Sequence, residues 1–128
     1  MLNRFVTQVF DAQGFSEEAS QNAARILVLS DLRGVESHGV ARLHGYIRQV
    51  DEGKINPKAK PFIEREKYGT VTLNADRGLG LYVASKAAEL ADEKAEVHGS
   101  GWVAVKNSSH FGVAIGHILP WIEKNRMA

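Results

Sequence analysis

The stretch TVTLNADRGLGLYVASKAAELADEKAEVHGSGWVAV, residues 70–105, decides the fold class. Residues 70–73 are rich in β-branched side chains and residues 102–105 form a short apolar run, so each end predicts a strand. Between them, after the turn residues Gly78 and Gly80, apolar side chains recur at helical spacing at Leu79, Val83, Ala87, Leu90 and Ala91. A strand, a long helix and a second strand predict a βαβ unit with two parallel strands.

The residues before this unit predict three helices and a linker. Apolar positions at helical spacing predict a first helix that ends at Gly14, and Ser16 is a good N-cap for a second helix that stops near Gly34. Ser37 predicts the cap of a third helix that runs to about residue 52. We therefore predict a mixed α/β (α+β) chain with an N-terminal helical subdomain in residues 1–52, a linker in residues 53–61 and the start of a larger domain in residues 62–128.

The residues after the second strand predict a loop and a final helix. This helix should begin near Gly112, and Pro120 should kink or restart it, because proline lacks the amide hydrogen and crowds the preceding turn. Two parallel strands do not form a well-covered sheet. We therefore expect further strands to come from another chain or from a continuation of this one.

Composition excludes several classes of function. The chain has 128 residues, 16 basic and 15 acidic side chains and a formal net charge of +1, which gives no electrostatic reason to bind nucleic acid or an anionic membrane. The absence of cysteine excludes disulfides and thiolate metal sites. The spacings of His38 from His44 and of His110 from His117 are unsuitable for a shared ion, so no metal is expected. No signal peptide or membrane span is predicted, so the expected compartment is the cytoplasm.

The predicted third helix carries a candidate binding site for a small carboxylate. His38 and Arg42 are four residues apart and are therefore neighbours on one side of that helix. They lie in its first turns, where backbone N–H groups are unpaired, and the planar guanidinium can hold a carboxylate through two hydrogen bonds. The same pattern is also typical of solvated surface side chains, and both interpretations remain open at this point.

A second candidate is the loop NSSHFG, residues 107–112, at the carboxyl end of a predicted parallel strand. Ligands of α/β sheets tend to bind at such ends. The loop offers a titratable His110 together with the polar side chains of Asn107 and Ser108. In the alternative interpretation, a serine of this loop caps the following helix and His110 packs locally.

The two motifs together resemble the malate/L-lactate dehydrogenase family. The resemblance covers nearly the whole chain and includes, in order, DLRGVESHGVARL (31–43), GKINP (53–57), DRGLG (76–80), GSGWVAV (99–105) and NSSHFG (107–112). It implies the interconversion of a 2-hydroxy acid and its 2-keto acid with NAD or NADP, a non-Rossmann cofactor domain and a homodimer. No third glycine follows the pair at positions 78 and 80, which agrees with the lack of a Rossmann fingerprint. The family's chains are longer, so we expect an N-terminal portion of such an enzyme.

The resemblance also implies roles for individual residues. His38 and His110 are the candidates for the catalytic proton donor, because an imidazole can give and take a proton near neutral pH. We favour His38 as the acid/base, with His110 binding or polarising the substrate oxygen and Arg42 binding the carboxylate. Asn107 and Ser108 are candidates for contacts with the cofactor. The alternative is a catalytically inactive fragment or an assembly module of the same family.

Overall fold

The computed structural model describes residues 1–128 and contains five α-helices and one three-stranded sheet. This confirms the mixed α/β class. Two short 3-10 turns, Glu36–His38 and Val40–Arg42, precede the third helix. The elements are α1 (Leu2–Ala12), α2 (Glu17–Leu32), α3 (Leu43–Asp51), β1 (Phe62–Lys67), β2 (Thr70–Gly78), α4 (Gly80–His98), β3 (Trp102–Ser108) and α5 (Ile115–Ile122).

The predicted βαβ unit is present. Strands β2 and β3 pair in parallel, and α4 connects them. Both strands are longer than predicted, because β2 continues to Gly78 and β3 to Ser108. The carboxyl end of β3 therefore coincides with the beginning of the polar loop that contains His110.

Strand β1 was not predicted, and it supplies a third strand from within the chain. It pairs antiparallel with β2 across a two-residue turn at Tyr68 and Gly69, which gives the order β1-β2-β3. All six residues of β1 are exposed and four of them are charged, so the strand lacks the apolar alternation that sequence patterns detect. Ion pairs of Glu64 with Lys106 and of Glu66 with Lys94 hold it in place. The expectation that every further strand comes from outside the chain was therefore wrong.

The prediction of one continuous third helix beginning at Ser37 was also wrong. Gly39 has an extended conformation, with φ −87° and ψ −158°, and separates the two 3-10 turns. The Val40 amide donates to Asp31 Oδ2 at 3.0 Å, which removes it from any helical hydrogen-bond ladder. Ser37 caps no helix, and its hydroxyl lies 2.9 Å from Nδ1 of His38 instead. A regular α-helix therefore begins only at Leu43.

A main core joins the N-terminal helices to the beginning of α4. Ser16 caps α2 as predicted, because its Oγ accepts from the Ala19 amide. The core cluster contains 13 buried residues, and Ile55 of the predicted linker is among them with 1% exposure. The division of the chain at residues 52 and 62 stays a prediction. The cluster consists of Val6, Phe10, Phe15, Ala19, Ala23, Ala24, Ile26, Leu27, Leu43, Tyr46, Ile55, Leu79 and Leu81.

Helix α5 begins at Ile115, three residues later than predicted, and contains Pro120 without a restart. Because a proline at this position has no amide hydrogen, it cannot donate to the carbonyl of Gly116 one turn earlier. Arg25 of α2 takes that role, since its Nη1 donates to the Gly116 carbonyl at 2.9 Å. None of the five helices combines the length and apolar character that a membrane crossing requires.

Candidate active site

His38 is positioned by the contact between Gly39 and Asp31. Gly39 is buried, and a Cβ at this position would overlap the Asp31 carboxylate. The same carboxylate accepts the hydrogen bond from the Val40 amide. The Asp31 side chain of α2 thus fixes the backbone on the carboxyl side of His38. His38 itself is half-buried.

His110 lies in the loop that follows β3, and this loop packs tightly on the beginning of α4. The Gly80 amide donates to Ser109 Oγ at 2.8 Å. A Cβ at Gly80 would overlap the carbonyls of Ser109 and His110, so only glycine permits this approach. The carboxyl end of a parallel strand and the first turn of a helix therefore fix the imidazole, as expected for α/β sheets.

The two histidines converge. The ring centroids of His38 and His110 are 5.3 Å apart, with an angle of 36° between the ring planes. Sequence analysis placed these residues in separate motifs, 72 positions apart in the chain. His38 is half-buried and His110 is exposed, so a small solute can reach both rings. No three His, Asp or Glu side chains are grouped so as to hold a metal ion.

Arg42 lies near this pair. The turns Glu36–His38 and Val40–Arg42, which carry His38 and Arg42, do not form the continuous helix that was predicted. Its Nε donates to the Ser37 carbonyl at 2.7 Å, which ties the guanidinium to the 3-10 turn that carries His38. Its positive charge also lowers the pKa of His110. The side chain is exposed. An imidazole pair and a guanidinium therefore share one open surface. The two 3-10 turns, and not one face of a helix, bring His38 and Arg42 together there.

The hydrogen bonds of His110 indicate its protonation state. The Gly112 amide donates to Nδ1 at 3.1 Å, so Nδ1 is an acceptor and the hydrogen of the neutral ring lies on Nε2. Although the residue is exposed overall, partial desolvation of its ring is the largest cause that lowers the pKa of His110, followed by the positive charges of Arg42 and His38. His110 is therefore a neutral hydrogen-bond donor near pH 7.

Tyr46 is a site residue that sequence analysis missed. Its Oη lies 2.9 Å from Nδ1 of His110, and its side chain is 2% exposed in the main core. Burial raises the pKa of Tyr46 to about 12, against an opposing effect of the Arg42 charge. The phenol thus keeps its hydrogen and can donate it to the ring. The spacing of four residues from Arg42 to Tyr46 was the signal that could have found it.

Asn107 and Ser108 do not join the histidine pair but lie beside it, at the end of β3. They line a cavity of about 450 Å3 whose apolar wall includes Val105 and Phe111. Asn107 has a left-handed φ of 53°, and its Nδ2 donates to Asn74 Oδ1 at 3.2 Å. The side-chain oxygen Oδ1 of Asn107 has no hydrogen-bond partner within the chain.

Comparison with known proteins identifies the family of the chain. The profile of the malate/L-lactate dehydrogenase family matches residues 1–128, the whole chain. The chain belongs to this family. The resemblance of the two motifs is thereby confirmed.

Several relatives in the family have names that state their activities. The chain is 44% identical to the malate dehydrogenase of Pyrococcus abyssi over 113 residues, which are 88% of this chain and 31% of that one. It is 40% identical to the L-sulfolactate dehydrogenase of Methanocaldococcus jannaschii over 111 residues, 87% of this chain and 32% of that one. The chain thus spans about a third of the length of these relatives.

A solved structure in the family has the same fold. The malate dehydrogenase of Pyrococcus horikoshii superposes with a TM-score of 0.92 at 37% sequence identity. The match covers 96% of this chain and 35% of that one. The helices and the three-stranded sheet described above are therefore the architecture of the matching third of a family member.

Proposed function

We propose that this chain is the substrate-binding and proton-transferring part of an NAD(P)-dependent oxidoreductase that interconverts a 2-hydroxy acid and its 2-keto acid. The observation that carries the proposal is the approach of His38 and His110, 5.3 Å between ring centroids, beside the guanidinium of Arg42. Two imidazoles can serve the single oxygen that gains or loses a proton in this reaction. The neighbouring guanidinium can hold the carboxylate on the adjacent carbon.

The substrate class follows from the family and from Arg42. The relatives described above are named for malate and L-sulfolactate, and both compounds are 2-hydroxy acids. Arg42 has one nitrogen bound to the Ser37 carbonyl, which fixes the plane of the guanidinium while its terminal nitrogens can meet a carboxylate. We infer that Arg42 binds the carboxylate and thereby orients the carbonyl group toward the two histidines.

We assign the proton transfer to His38 and the polarisation of the substrate oxygen to His110. A neutral His110 with its hydrogen on Nε2 can donate a hydrogen bond to the carbonyl oxygen, but it is not an acid at neutral pH. His38 has Nδ1 engaged with the Ser37 hydroxyl, so Nε2 is the nitrogen that can exchange a proton with the substrate. In the reducing direction protonated His38 gives this proton to the developing alkoxide, and in the reverse direction the neutral ring accepts it.

The cavity at the end of β3 supports contacts of this chain with the cofactor. Its wall combines the apolar Val105 and Phe111 with the polar Asn107 and Ser108, a combination that fits a flat nicotinamide ring bearing a carboxamide. Asn107 and Ser108 would hold that carboxamide. A bound nicotinamide supplies or accepts the hydride at the substrate carbon. NAD and NADP carry the same nicotinamide ring, so either can be this cofactor.

Binding to the 128-residue chain provides a direct test. Oxamate, an unreactive analogue of a 2-keto acid, should shift the side-chain NMR signals of His38 and His110. The Arg42→Gln variant should weaken this binding about 10-fold or more, the value of one charge-assisted hydrogen bond. Arg48→Gln is the matched control, because Arg48 is an exposed arginine of α3 that pairs with Glu52. Equal binding by both variants would remove the carboxylate role of Arg42.

Turnover separates the two histidines. In the complete dehydrogenase that carries these residues, His38→Ala and His110→Ala should each lower kcat by about two to four orders of magnitude. The exposed His44→Ala is the control. Full turnover after either of the first two substitutions contradicts the role given to that residue.

Gel filtration together with nicotinamide fluorescence tests the homodimer and the alternative of an inactive assembly module. Such a module would dimerise without binding cofactor.

A further inference from the structure

A third histidine, His117, contacts the backbone of the loop that carries His110. It is in α5, is 5% exposed and is the only buried histidine of the chain. Its Nε2 lies 2.7 Å from the carbonyl oxygen of Phe111, the residue next to His110. Because a carbonyl can only accept a hydrogen bond, Nε2 carries the hydrogen.

The other ring nitrogen of His117 is held by α4. Nδ1 lies 2.8 Å from Oγ of Ser85, which is 7% exposed, and this hydroxyl lies 3.1 Å from Oδ1 of Asn22 in α2. Both nitrogens of the ring therefore have partners, and three elements meet at one buried imidazole. A residue needed only to fill space would be apolar, since each buried polar group must find a partner to avoid a desolvation cost.

The segment around His117 is also fixed against α2. A Cβ at Gly112 would lie 2.7 Å from Leu81 and 3.0 Å from Ile26, and Gly112 has a φ of +81° that favours glycine. The amide of Gly112 is the donor to Nδ1 of His110. The position of residues 111 and 112 therefore determines whether the His110 ring keeps this hydrogen bond.

We propose that His117, supported by Ser85, is a positioning residue that holds the Phe111 carbonyl and thereby directs the His110 ring toward Tyr46 and His38. The proposal rests on the proposed function, because it matters for catalysis only if His110 acts on the substrate. Independently of catalysis, the hydrogen-bond pattern of His110 should depend on His117.

The structural statement is tested by nitrogen-15 NMR of the histidine rings in the 128-residue chain. The wild-type chain should show His110 as the tautomer with hydrogen on Nε2. The His117→Leu variant should move these signals toward those of a free, exchanging imidazole. The His117→Gln variant keeps an N–H donor for the Phe111 carbonyl and should restore the pattern. His98→Gln, at an exposed histidine at the end of α4, is the matched control.

A second variant covers the case in which His117→Leu does not fold. Ser85→Ala keeps the donor to Phe111 but releases the other side of the His117 ring, so it should cause a smaller change of His110 in the same direction. Unchanged His110 signals in a folded His117→Leu chain, or in Ser85→Ala if the former is unfolded, overturn the proposal.

Kinetics in the complete dehydrogenase distinguish this proposal from the proposed function. His117→Leu should lower kcat about 10- to 100-fold with a smaller change in KM, the effect of a misplaced catalytic group, and His117→Gln should recover most of it. If the His110 signals move but kcat does not, the positioning stands and the role of His110 in catalysis fails. If the signals do not move, the positioning role fails whatever the rate.

Discussion

The phenol of Tyr46 and Nδ1 of His110 are 2.9 Å apart, although 64 positions separate the two residues in the chain. Tyr46 belongs to the main core and is nearly inaccessible, so the contact links the loop that carries His110 to that core. Together with the Gly112 amide, the phenol gives Nδ1 two hydrogen-bond donors. The neutral form of His110 therefore depends in part on a tyrosine hydroxyl.

Removing that hydroxyl should raise the pKa of His110. Both donors stabilise the unprotonated Nδ1, so the loss of one donor in Tyr46→Phe makes protonation of the ring easier. The pKa of His110 should therefore rise toward the ordinary value for histidine, about 6.5. NMR titration of the His110 ring measures the change. Tyr68→Phe is the control, because Tyr68 is exposed in the turn between β1 and β2. An unchanged or lower pKa in Tyr46→Phe contradicts donation from Tyr46.

Gly39 should not tolerate a side chain. A Cβ there would overlap the Asp31 carboxylate, so Gly39→Ala must displace this carboxylate and its hydrogen bond from the Val40 amide, or the turn that carries His38. We expect a loss of about 1–3 kcal/mol in the free energy of unfolding, the usual cost of overpacking, measured by urea denaturation. Gly45→Ala is the matched control in α3, where nothing lies within 4 Å of the added Cβ.

The control should change stability in the opposite direction. Alanine is a better helix former than glycine, so Gly45→Ala should stabilise the chain by about 0.5–1 kcal/mol. Equal stability of the two variants would show that the Asp31 contact does not constrain Gly39.

Local patterns predicted most of the fold but little of the geometry around His38. Apolar periodicity and the serine cap were sufficient to predict α2. Two short apolar runs on either side of a long helical pattern were sufficient to predict the βαβ unit. The break in the helix at Gly39 was not predictable in this way, because it depends on Asp31, eight positions earlier. The Asp31 carboxylate accepts the hydrogen bond of the Val40 amide. Helical spacing nevertheless selected His38 and Arg42, since two consecutive 3-10 turns keep them in one region.

The convergence of the two motifs could be inferred only from a family resemblance. Nothing in the residues around His38 or His110 specifies that a loop after β3 reaches the turns before α3. That approach depends on close backbone packing at Gly80 and on the core position of Tyr46, both of which are tertiary contacts. Strand β1 escaped prediction for a related reason, since its stability comes from pairing with β2 and from ion pairs rather than from an apolar face.

Acid should destabilise the chain through His117. Burial is the largest cause that lowers the pKa of His117 below its ordinary value, so the unfolded chain binds a proton more readily than the folded one. The stability that the neutral ring contributes is therefore fully present above the unfolded-chain pKa of about 6.5. It is lost progressively as the pH falls from there through the lowered pKa of the folded chain. His110, whose pKa is also lowered, adds a change of the same sign.

Replacing His117 should reduce this pH dependence. Between about pH 7 and pH 5, the free energy of unfolding of His117→Gln should decrease less steeply than that of the wild-type chain, because glutamine does not titrate. Urea denaturation at a series of pH values measures the slope. His98→Gln should leave the slope unchanged, and a wild-type slope in His117→Gln would contradict the assignment.

The hydrogen bond from Arg25 to the Gly116 carbonyl should depend on Pro120. That carbonyl lacks a helical partner because Pro120 has no amide hydrogen, and Arg25 Nη1 donates to it at 2.9 Å. Arg25→Ala should cost about 1–3 kcal/mol in the free energy of unfolding, since it leaves a partly buried carbonyl without a donor. In a Pro120→Ala background the new amide can take over, so the same substitution should cost less. A double-mutant cycle measured by urea denaturation gives the coupling of the two residues, and strict additivity would show that Arg25 stabilises the chain by some other contact.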